Sequence, residues 1–494
     1  MKMRIKQNNN ISDKIIKITL ISISLLLLAY SGYRSYHLSF TIDESQTCND
    51  FVPLSFMQIV SYNQELSANN HILNTLLVKL FSSLFGFSEF VLRAPNFIAC
   101  IIYLLFSYLI SKQVNNLLGV ICCFIFLTAN PYLLDFFSLC RGYALATSTM
   151  LASVYFLLEY NKNYIRSNLF YAYLFASLAV LSNFSLLIYF ASLLIVTALI
   201  FFCKNDSPFS LKVIFSEFLI PILTTLILTV ILYEPIRKLI KFNGLYFGGE
   251  VGFKHDTITS IAQTSLYGQP YATCLLSFVS NLILFITVFS FGIILWKTLT
   301  TKKINLNFFS LSFLLIVLPA LVSITQHYLI GSKFLTDRMA LFFIPLFMLH
   351  LSSIITSIKR SLVRYSLSIL LALLLVGHTV RSANFNYYLS WHFDCQTKEM
   401  LNDLKSFSLQ DNISTMKLGI DPLYAQTIRF YKRTQKLYWL SEVDSYILKP
   451  HECNYYYIMN EDNLFIKNHE KKIIKQYSTS GSYLLKELLI SKTH

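Results

Sequence analysis

The feature that most limits what this chain can fold into is a series of apolar runs that water cannot accommodate. Ile18–Tyr30, Phe97–Ile110, Leu186–Phe202, Ile222–Leu232, Leu311–Val322 and Leu367–Val376 each lie in a window nearly free of charge. A helix needs roughly 20 mostly apolar residues to cross the hydrocarbon of a bilayer, and there it must satisfy its own backbone polar groups. Composition agrees: 54% of the 494 residues are hydrophobic and 14% are charged, too apolar for a soluble protein of this length. The 42 Phe and 31 Tyr suit interfacial belts and cavity linings, although Trp, at 3, is scarce.

Spans are predicted near 15–33, 89–110, 117–137, 142–158, 168–181, 184–203, 213–233, 272–296, 305–325, 339–357 and 365–381. The expectation is therefore a polytopic α-helical membrane protein of about eleven transmembrane helices. A turn at 182–183 separates the fifth from the sixth. Residues 1–14 are basic and polar, and no small-residue cleavage site follows the first apolar run, so it reads as an uncleaved span. Asn69-Asn70 is positioned to cap a helix starting at His71, whose Leu73, Leu76, Leu77, Leu80, Phe81 and Leu84 recur at helical spacing. That helix reads as lying in the interface of the first outer loop, residues 34–70 and onward, which also holds Asp50 and Glu65.

The net charge of +15 is topological. Residues 382–494 carry only +2, and residues 1–381 carry +13. With the N-terminus inside, 16 Lys and Arg fall in the 57 residues of the inner segments, a density that the opposite orientation would place outside. An odd number of spans then leaves the C-terminus outside. Residues 1–381 read as a transmembrane domain and 382–494 as a small extracytoplasmic α/β domain. In the latter, Met416–Ile420, Leu437–Leu440 and Tyr455–Met459 read as strands, and Leu423–Arg433 and Asp462–Lys472 as helices. Of the nine cysteines, Cys100, Cys122, Cys123 and Cys203 lie in or beside apolar runs and behave as small hydrophobes. Cys395 and Cys453 are both in the outer segment, where either a disulfide or two thiols fits the spacing.

Four constellations can carry chemistry. Asp43-Glu44 follows the first span, and a carboxylate there is either a general base, a ligand for a cation that neutralises phosphate, or part of a solvated loop. His71 and Asn74 share a helix face and suit a phosphate or a sugar; helix capping explains the asparagines equally well. Asp135 through Tyr143 places Arg141 at an outer membrane end, where a guanidinium needs a ligand or a partner. Its planar fork matches phosphate, and Asp135 is the alternative partner. Lys333, Asp337 and Arg338, with His327 nearby, precede a span containing Pro345-Leu346; these cations suit a lipid phosphate headgroup or general interfacial anchoring. Arg93 in the second span is a further fixed cation. GxxxxGK[ST], GxGxxG, HExxH and GxSxG are all missing, which removes support for ATP-driven transport and for zinc or serine hydrolysis. Nothing resembles a nucleic-acid footprint.

Taken in order, these segments resemble the GT-C superfamily of membrane glycosyltransferases, in the branch with protein O-mannosyltransferases and the lipid A aminoarabinose transferase. Asp43-Glu44 is similar to the acidic motif of the first outer loop. His71, followed by Gly86-Phe87-Ser88-Glu89 through Arg93-Ala94-Pro95, resembles the His-led helix and its Gly-x-Ser/Asp-Glu-x-x-x-Arg-x-Pro run. Arg141-Gly142-Tyr143-Ala144-Leu145 and Asp337-Arg338 before Pro345-Leu346 match the remaining two segments. The resemblance covers roughly residues 15–350. Two departures stand out: Ile72 follows His71 where many relatives have proline, and Leu139-Cys140 precedes Arg141 where many have Glu-Ala.

The resemblance implies transfer of a sugar from a polyprenyl-phosphate donor to an extracytoplasmic glycan, lipid or protein at the outer face of the membrane; the Lys/Asn/Ile-rich usage points to a bacterial plasma (inner) membrane as the expected location. Asp43 would be the general base. Glu44 would orient the acceptor or hold a divalent cation, Mg or Mn, should one be used. His71, Asn74, Asp135, Arg141, Tyr143, Lys333 and Arg338 would bind substrate and the lipid phosphate. The rival enzyme is a polysaccharide polymerase or ligase, which usually keeps its arginines in a long late outer loop; here the long outer loops are 34–70 and 234–271. The rival from another class is a lipid or sugar transporter or flippase, which predicts inverted repeats or paired broken helices.

Overall fold

The structure, a computed structural model, describes residues 2–63, 68–114, 116–204, 211–443, 453–459 and 471–487. Its helices are α1 (Lys2–His37), α2 (Ile42–Gln46), α3 (Phe56–Ser61), α4 (Ile72–Phe85), α5 (Glu89–Ser111), α6 (Leu117–Thr128), α7 (Pro131–Phe136), α8 (Gly142–Asn163), α9 (Arg166–Ser182), α10 (Leu187–Lys204), α11 (Leu211–Lys241), α12 (Thr259–Ser265), α13 (Ala272–Thr301), α14 (Phe308–Ile330), α15 (Phe343–Thr356), α16 (Ser361–Ser382), α17 (Thr397–Gln410) and α18 (Ala425–Thr434). Its strands are β1 (Leu418–Ile420), β2 (Tyr455–Ile458), β3 (Lys472–Tyr477) and β4 (Ser482–Lys486). The chain forms two compact units, Met1–Gly32 with Val60–Asn74 and Pro95–Ala383, and Tyr33–Ile59 with Thr75–Ala94 and Asn384–His494.

This is a polytopic helical membrane protein. Among the described residues seven helices are long and apolar enough to cross a bilayer: Asp13–His37, Glu89–Ser111, Phe184–Lys204, Glu217–Lys241, Ala272–Thr301, Phe308–Ile330 and Ser361–Ser382. The expected count of about eleven is not reached by that measure. The four remaining predicted segments are helical, but α6, α9 and α15 have only 12, 17 and 14 residues. The expected span 117–137 breaks because Asn130 caps a new helix, accepting from the Leu133 N–H at 2.9 Å, with Pro131 in its first position. The turn expected at 182–183 is present, with the Asn183 side chain capping the short 3-10 turn Phe184–Leu186. The seventh predicted segment, 213–233, continues as helix to Lys241.

Within the first unit, α8 packs along α9, α10 along α14, and α15 and α16 against α6. The last contact buries Cys122, Phe126, Ile355 and Ala372 together. Most of α8 is buried and lined with small residues (Ala144, Ala146, Ser148, Ala152, Ser153), which let helices approach closely. The Ser148 hydroxyl donates to the Ala99 carbonyl at 2.7 Å. By contrast α13 turns Phe278, Phe285, Phe289 and Trp296 outward, the apolar surface that lipid would cover.

The second unit contains a four-stranded sheet in the order β1-β2-β4-β3, with β1 and β2 parallel and the other pairs antiparallel. Cys453, Tyr456, Ile458 and Leu485 form a core on it. The expected strand at Leu437–Leu440 reduces to one bridge between Leu440 and Met416. Of the helix expected over Asp462–Lys472, residues 462–470 lie outside the described residues, as does Glu65, and Lys472 opens β3. Helix α17 and the β3–β4 hairpin were not expected. Cys395 and Cys453 are not joined to each other by a disulfide in the structure.

Candidate active site

In the second unit the sequence Thr41-Ile42-Asp43-Glu44 builds a capping box. The Glu44 N–H donates to Thr41 Oγ1 at 3.4 Å, and the Thr41 N–H donates to Glu44 Oε2 at 3.0 Å. This starts α2 one residue before Asp43. Glu44 and Arg93 are fully buried and form a two-point pair, Nε to Oε1 at 2.7 Å and Nη2 to Oε2 at 2.8 Å. Arg93 then donates to the carbonyls of Ser35, Leu38 and Ser39 at 3.2, 2.9 and 3.0 Å, so all five of its N–H donors are engaged. The ring of Phe40 lies 4.7 Å from the guanidinium carbon. The expectation that Glu44 orients an acceptor or holds a cation therefore meets a geometry in which its charge is spent on Arg93. Asp43, its neighbour, is half-buried on the same short helix.

A third carboxyl, Asp394, joins this cluster; the sequence reading missed it. Its Oδ2 accepts from the Ile42 N–H at 2.7 Å, and its Oδ1 accepts from the Thr427 hydroxyl at 3.1 Å. Burial pushes its carboxyl well above the usual range, and the charges of Asp43 and Glu44 add to that against the two hydrogen bonds it accepts. Further contacts secure the same loop. The Phe40 N–H donates to the Tyr431 hydroxyl at 2.7 Å, the Ser39 hydroxyl to the Cys395 carbonyl at 2.9 Å, and Arg433 to the Cys48 carbonyl at 3.0 Å.

The first unit gathers His71, Arg141 and Tyr143. Arg141 donates to the carbonyl of Asn69 at 3.2 Å and to the Asn69 side-chain oxygen, so that side chain faces Arg141 rather than serving only as a helix cap. Its guanidinium carbon lies 5.9 Å from the centre of the Tyr143 ring, which meets His71 edge-on at 5.0 Å. Gly142 is required here: a Cβ would lie 2.0 Å from the Ser182 carbonyl oxygen and 2.7 Å from His71 Cβ. His71 is buried and held well below the ordinary histidine value, first by burial, then by the cationic Arg141 and Arg338, against a hydrogen bond to the Ser182 backbone. It is thus a neutral imidazole, and among the described residues its Nε2 has no hydrogen-bond partner.

Asn74 and Asp135 are drawn into structural contacts. Asn74 receives the Asn96 amide at 2.8 Å and donates to the Cys140 carbonyl at 3.5 Å. Asp135 accepts the Tyr267 hydroxyl at 2.9 Å on each oxygen. Lys333 pairs with Glu250 at 3.2 Å, next to a bridge in which Gly249 and Phe334 exchange backbone hydrogen bonds at 2.9 Å. Arg338 stacks over Phe247 at 5.5 Å. His327 stacks on Phe334 at 4.2 Å and bonds the Ser332 carbonyl, so it supports this loop.

A divalent cation on Glu44 does not fit this arrangement, because both of its oxygens are held by Arg93. Among the described residues no three His, Cys, Asp or Glu side chains come together as metal ligands would. Asp394 and Tyr267 lacked any local motif. The Thr41-x-x-Glu44 box is a local signal, and through it Glu44 caps the start of α2.

No family model matches this chain, and no curated protein matches it. Among solved structures it is similar to ArnT from Cupriavidus metallidurans in the apo state, with a TM-score of 0.49 and 10% identity over 95% of this chain and 97% of that one. It is also similar to the same protein bound to undecaprenyl phosphate (0.46, 11%, 96% and 98%). A further likeness is to the archaeal oligosaccharyltransferase AglB from Archaeoglobus fulgidus in complex with an inhibitory peptide and a dolichol-phosphate (0.40, 13%, 90% and 70%).

Proposed function

We propose that this protein is an integral membrane glycosyltransferase that moves a sugar from a polyprenyl-phosphate donor to an extracytoplasmic acceptor, with Asp43 as general base. The observation that carries the reading is the split between two adjacent carboxylates. Glu44 is consumed by Arg93, and that pair, together with the capping box, fixes the short helix on which half-buried Asp43 sits. A base held in place by its neighbours is what proton abstraction from a hydroxyl asks for.

The acceptor O–H would give its proton to Asp43 as its oxygen bonds to the anomeric carbon. The bond from that carbon to the phosphate oxygen breaks, the configuration inverts, and polyprenyl phosphate leaves as an anion. We assign Arg141, Lys333 and Arg338 to that developing charge. His71, kept neutral, suits a sugar hydroxyl donating to Nε2 better than it suits a phosphate oxygen. Tyr143 orients His71 and Arg141 by ring contact, and Asp135 shapes the segment through Tyr267. No step is assigned to a metal.

The test is release of free polyprenyl phosphate by the purified protein in lipid nanodiscs. It would be offered a panel of polyprenyl-phosphate sugars and an acceptor extract, beside the Asp43→Asn variant. Release by the wild type and loss of at least about a hundredfold in the variant supports the reading. Equal release by both removes Asp43 from the mechanism, and binding or flipping of every donor without release favours transport.

A further inference from the structure

The segment Asn384–His494 has an open role if it is regarded only as an outer domain. Its contacts within the second unit give it one. It reaches the loop 39–50 at point after point: Cys395 to Ser39, Tyr431 to Phe40, Asp394 to Ile42, Gln426 to Asn49 and Asp50, and Arg433 to Cys48. Helix α18 packs directly on α2. The loop so held is the one that carries Asp43.

Asp394 differs from the other contacts. Of the contacts just given, it is the one that meets the backbone of α2 itself, at the first N–H of the helix and one residue from Asp43. That N–H has no intrahelical acceptor available to it. Asp394 is itself fixed, since its other oxygen is tied to Thr427 on α18 and the side chain is buried. The chain Thr427–Asp394–Ile42 therefore makes the position of α2 depend on α18.

We infer that Asp394 is a positioning residue for Asp43, holding α2 through the Ile42 N–H so that the C-terminal segment sets the geometry of the base. This rests on the glycosyltransferase reading above. A misplacement of about 1 Å in a reacting group can cost on the order of a hundredfold in rate while leaving binding intact. The role asks of Asp394 only hydrogen-bond acceptance at one oxygen and a partner for Thr427 at the other. Asparagine can do both, because the Thr427 hydroxyl can turn to accept from its amide. Leucine, of similar shape, can do neither.

The experiment compares wild type, Asp394→Asn, Asp394→Leu and Thr427→Val in nanodiscs, by two readouts. The first is polyprenyl phosphate release as kcat and KM for the donor. Expected are a kcat within about threefold of wild type for Asn, a fall of about tenfold or more for Leu, a smaller fall for Thr427→Val, and donor KM unchanged throughout. An Asn variant as inactive as Leu, or a Leu variant with wild-type kcat, overturns the inference. Should Asp394→Leu not fold, Thr427→Val carries the same test. The second readout is amide exchange of the peptide covering residues 39–46, which needs no turnover. Faster exchange in Leu than in wild type, with Asn matching wild type, supports the positioning role, and equal exchange in all four overturns it. If the wild type releases nothing from any donor, the glycosyltransferase reading fails on its own, and amide exchange still decides whether Asp394 holds α2.

Discussion

Arg93 holds both carboxylate oxygens of Glu44, at 2.7 and 2.8 Å, with both side chains fully buried. Removing one partner strands the other charge in the interior, a loss of about 3–5 kcal/mol in comparable buried pairs. Glu44→Ala and Arg93→Ala are each expected to lower the thermal midpoint of the purified protein sharply. Asp43→Asn should leave the midpoint within a degree or two, because Asp43 takes no part in that pair. A stable Glu44→Ala variant that had lost only activity would return Glu44 to the chemistry.

Gly142→Ala tests the contact beneath His71. The new Cβ would lie 2.0 Å from the Ser182 carbonyl oxygen, a backbone atom that cannot swing aside as a long side chain can. Overpacking of this kind typically costs about 1–3 kcal/mol. Because His71 Cβ is the next atom met, at 2.7 Å, donor affinity should fall along with stability. Thermal unfolding and donor binding, measured on the same sample, check both. A variant that keeps wild-type affinity would mean that His71 is not used by the donor.

What the sequence disclosed follows the range of the interactions. Helical segments were legible because hydrophobicity is local; the acidic pair was read as part of an outer loop, and the four-residue Thr41-x-x-Glu44 signal that starts α2 was passed over. The span count was less so. In α8, Thr147, Ser148, Thr149 and Ser153 dilute the apolarity of a helix that lies buried in protein, and hydropathy cannot weigh that. The contacts of Glu44 with Arg93 and of Asn74 with Asn96 join residues from separate segments, and no local signal announces them. Asp394 was invisible: it meets Ile42 across 352 residues of sequence, with no motif at either end.

Tyr267 donates to both oxygens of Asp135 at 2.9 Å, and both residues are buried. Tyr267→Phe removes that donor and leaves a buried carboxylate short of it, at a cost of about 1–3 kcal/mol. Asp135→Asn keeps an acceptor for the hydroxyl and should cost less. Thermal midpoints of the two variants give the comparison. The reverse order would show that the charge of Asp135 matters more than its hydrogen bonds.

The raised pKa of Asp394 makes a prediction about stability against pH. Its carboxyl titrates above the usual range in the folded protein, chiefly through burial, and near the ordinary value of about 3.9 once unfolded. Between those values the folded form binds more protons than the unfolded, so this group's contribution to stability falls as pH rises. Asparagine keeps the hydrogen bonds and does not titrate. The thermal midpoint of Asp394→Asn should therefore exceed that of the wild type at neutral pH, with the gap closing as pH is lowered towards about 4. Midpoints at several pH values between 5 and 8 test the trend. A gap that instead widens as pH falls would mean that Asp394 is ionised in the fold, held there by the Ile42 N–H and the Thr427 hydroxyl more strongly than burial opposes it.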